Sequence, residues 1–198
     1  MHYPDLFPDD ETPIACELRF LELDMRCELE PSTLHALTST SLASLTTLHL
    51  SNLTQLGATQ LTSFFTTSPL PNLHTLILDT LYPSPLWSLL ALTFPALTTL
   101  RVSARQTTLV KVLTALGTSA PPTVRNLSLH LQHQRGTSLT APTICELLRI
   151  IQLPKMAGVR RVELPTVPRK DLEGSVGANL LRECEARRVV FVCRYGYL

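Results

Sequence analysis

Three histidines, His49, His74 and His130, lie in or beside segments in which apolar and polar residues alternate. Imidazole nitrogens are common zinc ligands, but a zinc site needs three or four ligands that converge on one point. The three histidines occupy different positions within their segments. The sequence therefore favours three separate solvated side chains over a metal centre, and we expect no metal and no cofactor.

Residues that could catalyse a reaction are few. The chain contains no G-x-S-x-G, P-loop, G-x-G-x-x-G or H-E-x-x-H motif. Cys145 stands beside Glu146, but a cysteine nucleophile also needs a histidine partner, and its position predicts a place in the core on the apolar side of a helix. We predict that the protein is not an enzyme.

Basic residues are concentrated in the last 44 residues, which hold nine bases. Five acids are interleaved with them and few aromatic residues accompany them, whereas a phosphate-binding surface usually keeps acids away from its basic side. A phosphate or nucleic-acid site is therefore the weaker interpretation, and an acidic peptide suits this end better.

Charge is distributed unevenly along the chain. Residues 1–50 sum to −7, residues 51–100 to −1 and residues 101–198 to +9, although the formal net charge is only +1. Two interpretations stay open: solvated charges that happen to segregate, or a dipolar surface that orients a charged partner or a neighbouring copy.

The elements that position these residues repeat. Seven copies of the pattern apolar-x-x-apolar-x-apolar occur, with middle residues at 21, 48, 76, 100, 127, 162 and 189, which are 27, 28, 24, 27, 35 and 27 residues apart. The copies are Leu18–Leu21–Leu23, Leu45–Leu48–Leu50, Leu73–Leu76–Leu78, Leu97–Leu100–Val102, Val124–Leu127–Leu129, Val159–Val162–Leu164 and Ala186–Val189–Phe191. Such a period predicts stacked structural repeats.

Within most copies apolar and polar residues alternate, which predicts a strand buried on one face only. A doubly wound sheet buries both faces of its strands, so its strands are more continuously apolar. Only Leu76–Leu78 and Val189–Val192 have that character. The predicted class is therefore α/β, with a core that rests on Leu48, Leu50, Leu76, Leu78, Leu100, Leu127, Leu129 and Val162.

Helices are predicted between the strands. They are expected within 32–44, around Leu61–Phe65, from Ser84 to Leu90, from Leu109 to a C-terminal Gly117, from a capping box at Thr143–Glu146 to Ile151, and from Leu172 to Cys184. A polar loop is predicted at residues 132–142, and it accounts for the longest interval between repeats, which is 35 residues. Residues 1–17 form an acidic arm, and residues 18–198 form one repeat domain.

The repeated phrase and its spacing resemble the leucine-rich repeat family, in its ribonuclease-inhibitor and F-box-associated branches. The asparagine of the strict motif is absent, since Leu53 and Leu81 stand in its place, and no F-box segment is recognised. The resemblance implies a right-handed βα solenoid with about seven parallel strands and helices on one face. It also implies a protein-interaction module, such as the substrate-recognition part of an F-box-like ubiquitin ligase.

In such a solenoid the polar positions of the strands line a concave face that could bind a protein or peptide. The candidate partner-binding residues are Glu22, Asp24, His49, Ser51, Asp79, Arg101, Ser103, Asn126, Ser128, His130, Arg161, Glu163 and Arg188. The alternative function is a truncated structural or regulatory scaffold without catalytic activity.

Two further expectations concern the surroundings of the protein. Five scattered cysteines with no C-x-x-C pair, an acidic N-terminal segment and no long apolar stretch predict reduced thiols, no membrane partner and a cytoplasmic or nuclear protein. The apolar last strand either is capped by residues 194–198 or pairs at its exposed edge, which would allow self-association.

Overall fold

One parallel sheet organises the chain. The computed structural model describes residues 17–24, 42–53, 70–80, 94–132, 139–168 and 173–196, and within them seven parallel strands follow one another in chain order. The strands are β1 (Phe20–Asp24), β2 (Thr47–Leu53), β3 (Thr75–Thr80), β4 (Thr99–Ala104), β5 (Asn126–Leu131), β6 (Arg161–Pro168) and β7 (Val190–Gly196). The helices are α1 (Gln106–Ser119), α2 (Ala141–Ile151) and α3 (Ser175–Ala186), with 3-10 turns at Leu42–Ser44 and Pro154–Met156.

The predicted α/β class is confirmed, and so is the one-sided burial of the strands. All eight predicted core residues are at most 1% exposed. The helices add Leu109, Leu113, Leu147 and Leu180 to the same apolar cluster. Because alternate strand residues point to opposite faces, the apolar residues of the strands share one face with the described helices. None of these helices lies on the other face.

A four-residue turn leads into several strands. In Leu70–Leu73, Phe94–Leu97 and Pro121–Val124 the last N–H donates to the first carbonyl, at 3.3, 3.1 and 3.2 Å. Proline is the second residue of each, where its fixed φ favours the turn. Pro71, Pro95 and Pro122 thus lie in turns that precede strands, and each turn delivers a buried apolar residue to the strand that follows.

At the start of β2 to β6, two successive N–H groups share one carbonyl of the preceding repeat. Thr46 and Thr47 both donate to the Arg19 carbonyl at 3.0 Å. The same pair recurs for His74 and Thr75 on Thr46, Thr98 and Thr99 on His74, Arg125 and Asn126 on Thr98, and Arg160 and Arg161 on Arg125. This bond pair sets the register, so that Leu21, Leu48, Leu76, Leu100, Leu127 and Val162 form one row.

The seventh strand departs from the predicted register. Val162 pairs with Phe191 and not with Val189, and Arg161 pairs with Val190. The reason is the end of α3: Arg188 adopts a left-handed φ of 55°, and the Val189 N–H donates to the Cys184 carbonyl at 2.8 Å. That is the Schellman arrangement, in which the residue after the left-handed one packs its apolar side chain against the helix. Val189 therefore belongs to the C-terminal cap of α3, and β7 begins at Val190.

Two helix boundaries were also predicted wrongly. The helix predicted to end at Gly117 is α1, which continues to Ser119 and stops before Pro121. A residue that precedes proline avoids the helical conformation. A Cβ on Gly117 would lie 2.7 Å from Arg149 Nη2, so this glycine lets the α2 side chain pass.

The predicted capping box at Thr143 is wrong as well. Helix α2 begins at Ala141 after Thr140, and the buried Thr143 hydroxyl accepts a 2.7 Å hydrogen bond from Gln106 Nε2 of α1. Ala141 and Pro142 thus belong to α2 and not to the predicted loop.

Several predictions lie outside the described residues. These are the helices at Leu61–Phe65 and Ser84–Leu90, most of the helix at 32–44, the arm before residue 17, the loop residues 133–138 and the tail residues 197–198. Helices that the structure does describe are all too short or too polar to cross a membrane.

Glu146 links neighbouring helices. Its carboxylate accepts two hydrogen bonds from Arg149, at 3.0 and 2.6 Å, and one from Thr114 of α1 at 2.8 Å. The bonds from Arg149 first, and that from Thr114 also, lower the pKa of this carboxyl below its usual range. Glu146 therefore holds α1 to α2 in its charged form.

Burial along one row predicts a graded cost of truncation. Leu76→Ala should lower the free energy of unfolding by about 2–5 kcal/mol, because it empties a fully enclosed site. Leu21→Ala, in the same row but only partly buried on β1, should cost less. Urea denaturation of both variants measures the difference, and equal costs would contradict the burial described here.

The Glu146 contact predicts a loss of stability in acid. A carboxyl whose pKa is lower in the folded than in the unfolded state stabilises the fold above the unfolded value, about 4.3 for glutamate, and loses this effect as the pH falls through the folded value. Wild type should therefore exceed Glu146→Gln in unfolding free energy at neutral pH, and the two should converge in acid. A difference that does not depend on pH would contradict the role of the charge.

Candidate functional site: the open face of the sheet

The face opposite the core carries three rows of side chains, which we call the open face. The first row is Phe20, Thr47, Thr75, Thr99, Asn126, Arg161 and Val190; the middle row is Glu22, His49, Ile77, Arg101, Ser128, Glu163 and Val192; the third is Asp24, Ser51, Asp79, Ser103 and His130. All are partly or fully exposed. Every candidate residue except Arg188 therefore lies on this face as predicted.

The predicted position of Arg188 on this face is wrong. The shift at the end of α3 places it before β7, where it is exposed at the left-handed position of the helix cap. Val190, and not Arg188, occupies the first row on β7. The sequence showed a repeat interval of the usual length, so the pattern alone gave no sign of this change.

The acidic half of the open face is built around His49. Its Nδ1 lies 3.1 Å from Glu22 Oε1 on β1, and its Nε2 lies 3.3 Å from Asp79 Oδ2 on β3. One imidazole thus bridges two carboxylates across three strands, and each bond requires a proton on the nitrogen that makes it. Because the two carboxylates lie on opposite sides of the ring, they do not converge with it on a common point.

A polar depression of about 300 Å³ lies at the carboxyl ends of the strands beside this bridge. It is lined by Ser51, Asn52, Asp79, Ser103, Leu131 and Gln132. Asn52 adopts a left-handed φ of 53° and donates a 3.0 Å hydrogen bond to Asp24, and asparagine tolerates this conformation better than most residues. Gln132 and Asn52 were not among the predicted site residues, because both follow the alternating part of their strands.

The other half of the open face is basic and polar. A second depression of about 260 Å³ is lined by Thr99, Asn126, Leu127, Ser128, Arg161 and Glu163. Asn126 donates to the Thr99 hydroxyl at 3.1 Å, and Arg161 lies 3.7 Å from Glu163. Arg101 and Arg161 are both exposed, so their guanidinium groups are accessible to a ligand.

The three histidines considered as metal ligands are separated. His74 lies before β3 and contacts the Asn72 carbonyl at 2.6 Å, whereas His130 lies 2.8 Å from the Ser128 hydroxyl. Across the described ranges, no group of three histidine, cysteine or acidic residues is placed to hold a metal ion.

The described cysteines differ in exposure. Cys145 is exposed on α2, so its predicted place in the core is wrong; it lies on the outer side of the helix while Ile144 and Leu147 face inward. Cys184 is buried, and desolvation raises the pKa of its thiol to about 11. Burial also raises the pKa of the Cys193 thiol. These shifts oppose formation of the thiolate that nucleophilic chemistry requires.

The basic end is partly neutralised by its own acids. Arg187 Nε donates to Glu183 at 2.5 Å, and Nη2 donates to the Gln152 carbonyl at 3.1 Å. The bond from Arg187 is the main reason that the pKa of Glu183 is lowered. This guanidinium therefore joins α3 to α2.

The His49 bridge predicts a specific sensitivity to charge. His49→Glu would place a carboxylate directly opposite Glu22 on β1 and diagonal to Asp79 on β3, and like charges directly opposite on a sheet are destabilising. We expect its unfolding free energy at neutral pH and low salt to fall about 1 kcal/mol below that of the neutral control His49→Gln. Added salt should narrow the gap. Equal stability of the two variants in urea denaturation would contradict the bridge.

A scan against protein-family models gives no match, and a search of curated proteins gives no significant one. The site is therefore interpreted from its own geometry.

Proposed function

We propose that the chain is a leucine-rich-repeat solenoid of about seven βα units that acts as a non-catalytic protein-binding module. Strands in strict chain order, an apolar row shared by every repeat, and helices on one side of the sheet support this architecture. Right-handed crossovers are the rule for parallel strands joined through helices. The proposed family rests on the resemblance of the repeated phrase to the leucine-rich repeat.

The ligand that suits the open face best is an extended peptide segment that crosses the strands. Neighbouring strands lie about 4.8 Å apart, so the path from β1 to β6 is about 24 Å. An extended chain advances about 3.3 Å per residue, so a segment of about seven residues would span it. Polar side chains of the three rows can form hydrogen bonds with such a segment along its whole length.

The observation that carries this proposal is the division of charge on the open face. Glu22, Asp24 and Asp79 lie on β1 to β3, whereas Arg101 and Arg161 lie on β4 and β6. A partner with basic residues at one end and acidic residues at the other complements this order. Charge complementarity fixes the orientation of a partner more than it adds raw affinity. The same face would serve substrate recognition in a ubiquitin ligase of the F-box type, the role that the resemblance implies.

The test is a charge reversal on the open face. Arg101→Glu/Arg161→Glu changes two exposed guanidinium groups of the basic half, and Lys111→Glu/Arg182→Glu makes the same charge change at exposed positions on α1 and α3. Partners captured from extract by wild type are identified, and the binding segment is then titrated as a synthetic peptide by fluorescence anisotropy. Circular dichroism checks that all variants are folded.

We expect the open-face variant to weaken peptide binding at least tenfold, equivalent to about 1.4 kcal/mol, and the helix variant to bind as wild type does. Equal affinity for both variants, or no peptide that binds wild type, would contradict the proposal.

A further inference from the structure

Among the described residues, the large apolar side chains that remain exposed lie in the first and last strands and in the last helix. They are Phe20 on β1, Leu181 on α3 and Val190 on β7, which are 54%, 39% and 56% exposed. At 100° per residue, Leu181 lies on the side of α3 away from Asn179, Glu183 and Ala186, which line the groove shared with α2. All three side chains thus belong to the two ends of the stack.

The apolar rows of the core are also open at both ends. In the core row that runs from Leu21 to Phe191, the members from Leu48 to Val162 are at most 1% exposed. The terminal members Leu21 and Phe191 are only partly buried. The core row that runs from Leu23 to Cys193 behaves in the same way. Its members from Leu50 to Leu164 are at most 2% exposed, whereas Leu23 and Cys193 are only partly buried. Each end presents the surface that the next repeat would cover.

We propose that copies of this chain stack head to tail, with β7 of one copy pairing in parallel with β1 of the next. In the register used throughout the sheet, Val190 would lie beside Phe20 and Phe191 beside Leu21 of the neighbour. The Val189 carbonyl would accept the N–H groups of Arg19 and Phe20, as the Arg125 carbonyl accepts those of Arg160 and Arg161 within the chain. The contact continues the existing sheet and core and requires no new geometry.

The two ends also differ in charge in the sense that this contact requires. The first fifty residues of the chain sum to −7, whereas residues 101–198 sum to +9. Among described residues, Glu22 and Asp24 are exposed at the β1 end, and Arg182 and Arg188 are exposed beside β7. Opposite charges favour the approach of unlike ends and disfavour that of two like ends.

A symmetric contact between two β7 strands is the main competitor. It would bring the two basic ends together and leave the apolar side chains of β1 exposed. A head-to-tail contact uses a different surface on each copy, so it does not close as a twofold dimer and can extend into longer assemblies. The two arrangements therefore differ in which variants can assemble.

The test uses one variant for each end of the full chain. Val190→Glu places a charge in the β7 contact, Phe20→Glu does so in the β1 contact, and Thr75→Glu is the control in the same row on the interior strand β3. Analytical ultracentrifugation across a dilution series gives the mass of each variant alone, and of Val190→Glu mixed with Phe20→Glu. Circular dichroism confirms that each is folded.

Wild type and Thr75→Glu should form species above the monomer mass, and each end variant alone should be a monomer. The mixture should form a one-to-one dimer that grows no further, because it contains one intact contact. Three results would overturn the proposal: a monomeric wild type at every concentration, a Phe20→Glu variant that still dimerises, or a mixture that stays monomeric. A loss of binding to peptide on the open face would not affect this measurement.

Discussion

The sheet depends on one recurring backbone interaction, the carbonyl that accepts two successive N–H groups from the next repeat. It occurs five times between Arg19 and Arg161. A one-residue slip in a strand would move its apolar side chains to the other face, so this bond pair keeps the leucine rows in the core and the polar rows on the open face. The arrangement of charge that supports the proposed function follows from the same backbone constraint.

Most of the sheet could be predicted because each strand alternates between an enclosed face and an open one. Six of the seven strands could be placed in register from the apolar phrase alone. The seventh could not, since Val189 satisfies the phrase but serves the end of α3. A left-handed Arg188 gives no sequence signal of the kind that glycine would give at that position. Local cap chemistry there outweighs the repeat pattern.

The helices were less predictable than the strands for a related reason. Glycine often follows the last residue of a helix, yet Gly117 lies inside α1, where the absence of a side chain leaves room for Arg149 of α2. Cys145 follows two residues with inward-facing side chains, and a difference of 100° was enough to move it to the surface. Contacts between repeats decide both cases, and such contacts have no fixed spacing in the sequence. The His49 bridge is similar: its three members are 27 and 30 residues apart along the chain, and only the register brings them together.

The shared carbonyl lies at the start of β2 to β6, and a four-residue turn precedes several of these strands. The sheet therefore places few demands on the chain between one strand and the next. Intervals of 24 and 35 residues lead to neighbouring strands of the same register. The length of the connecting segment is thus uncoupled from the geometry of the ligand-facing surface. An evolving or engineered gene could lengthen such a segment, for instance to carry a fluorescent reporter between β5 and β6, and the rows of side chains on the sheet would keep their spacing.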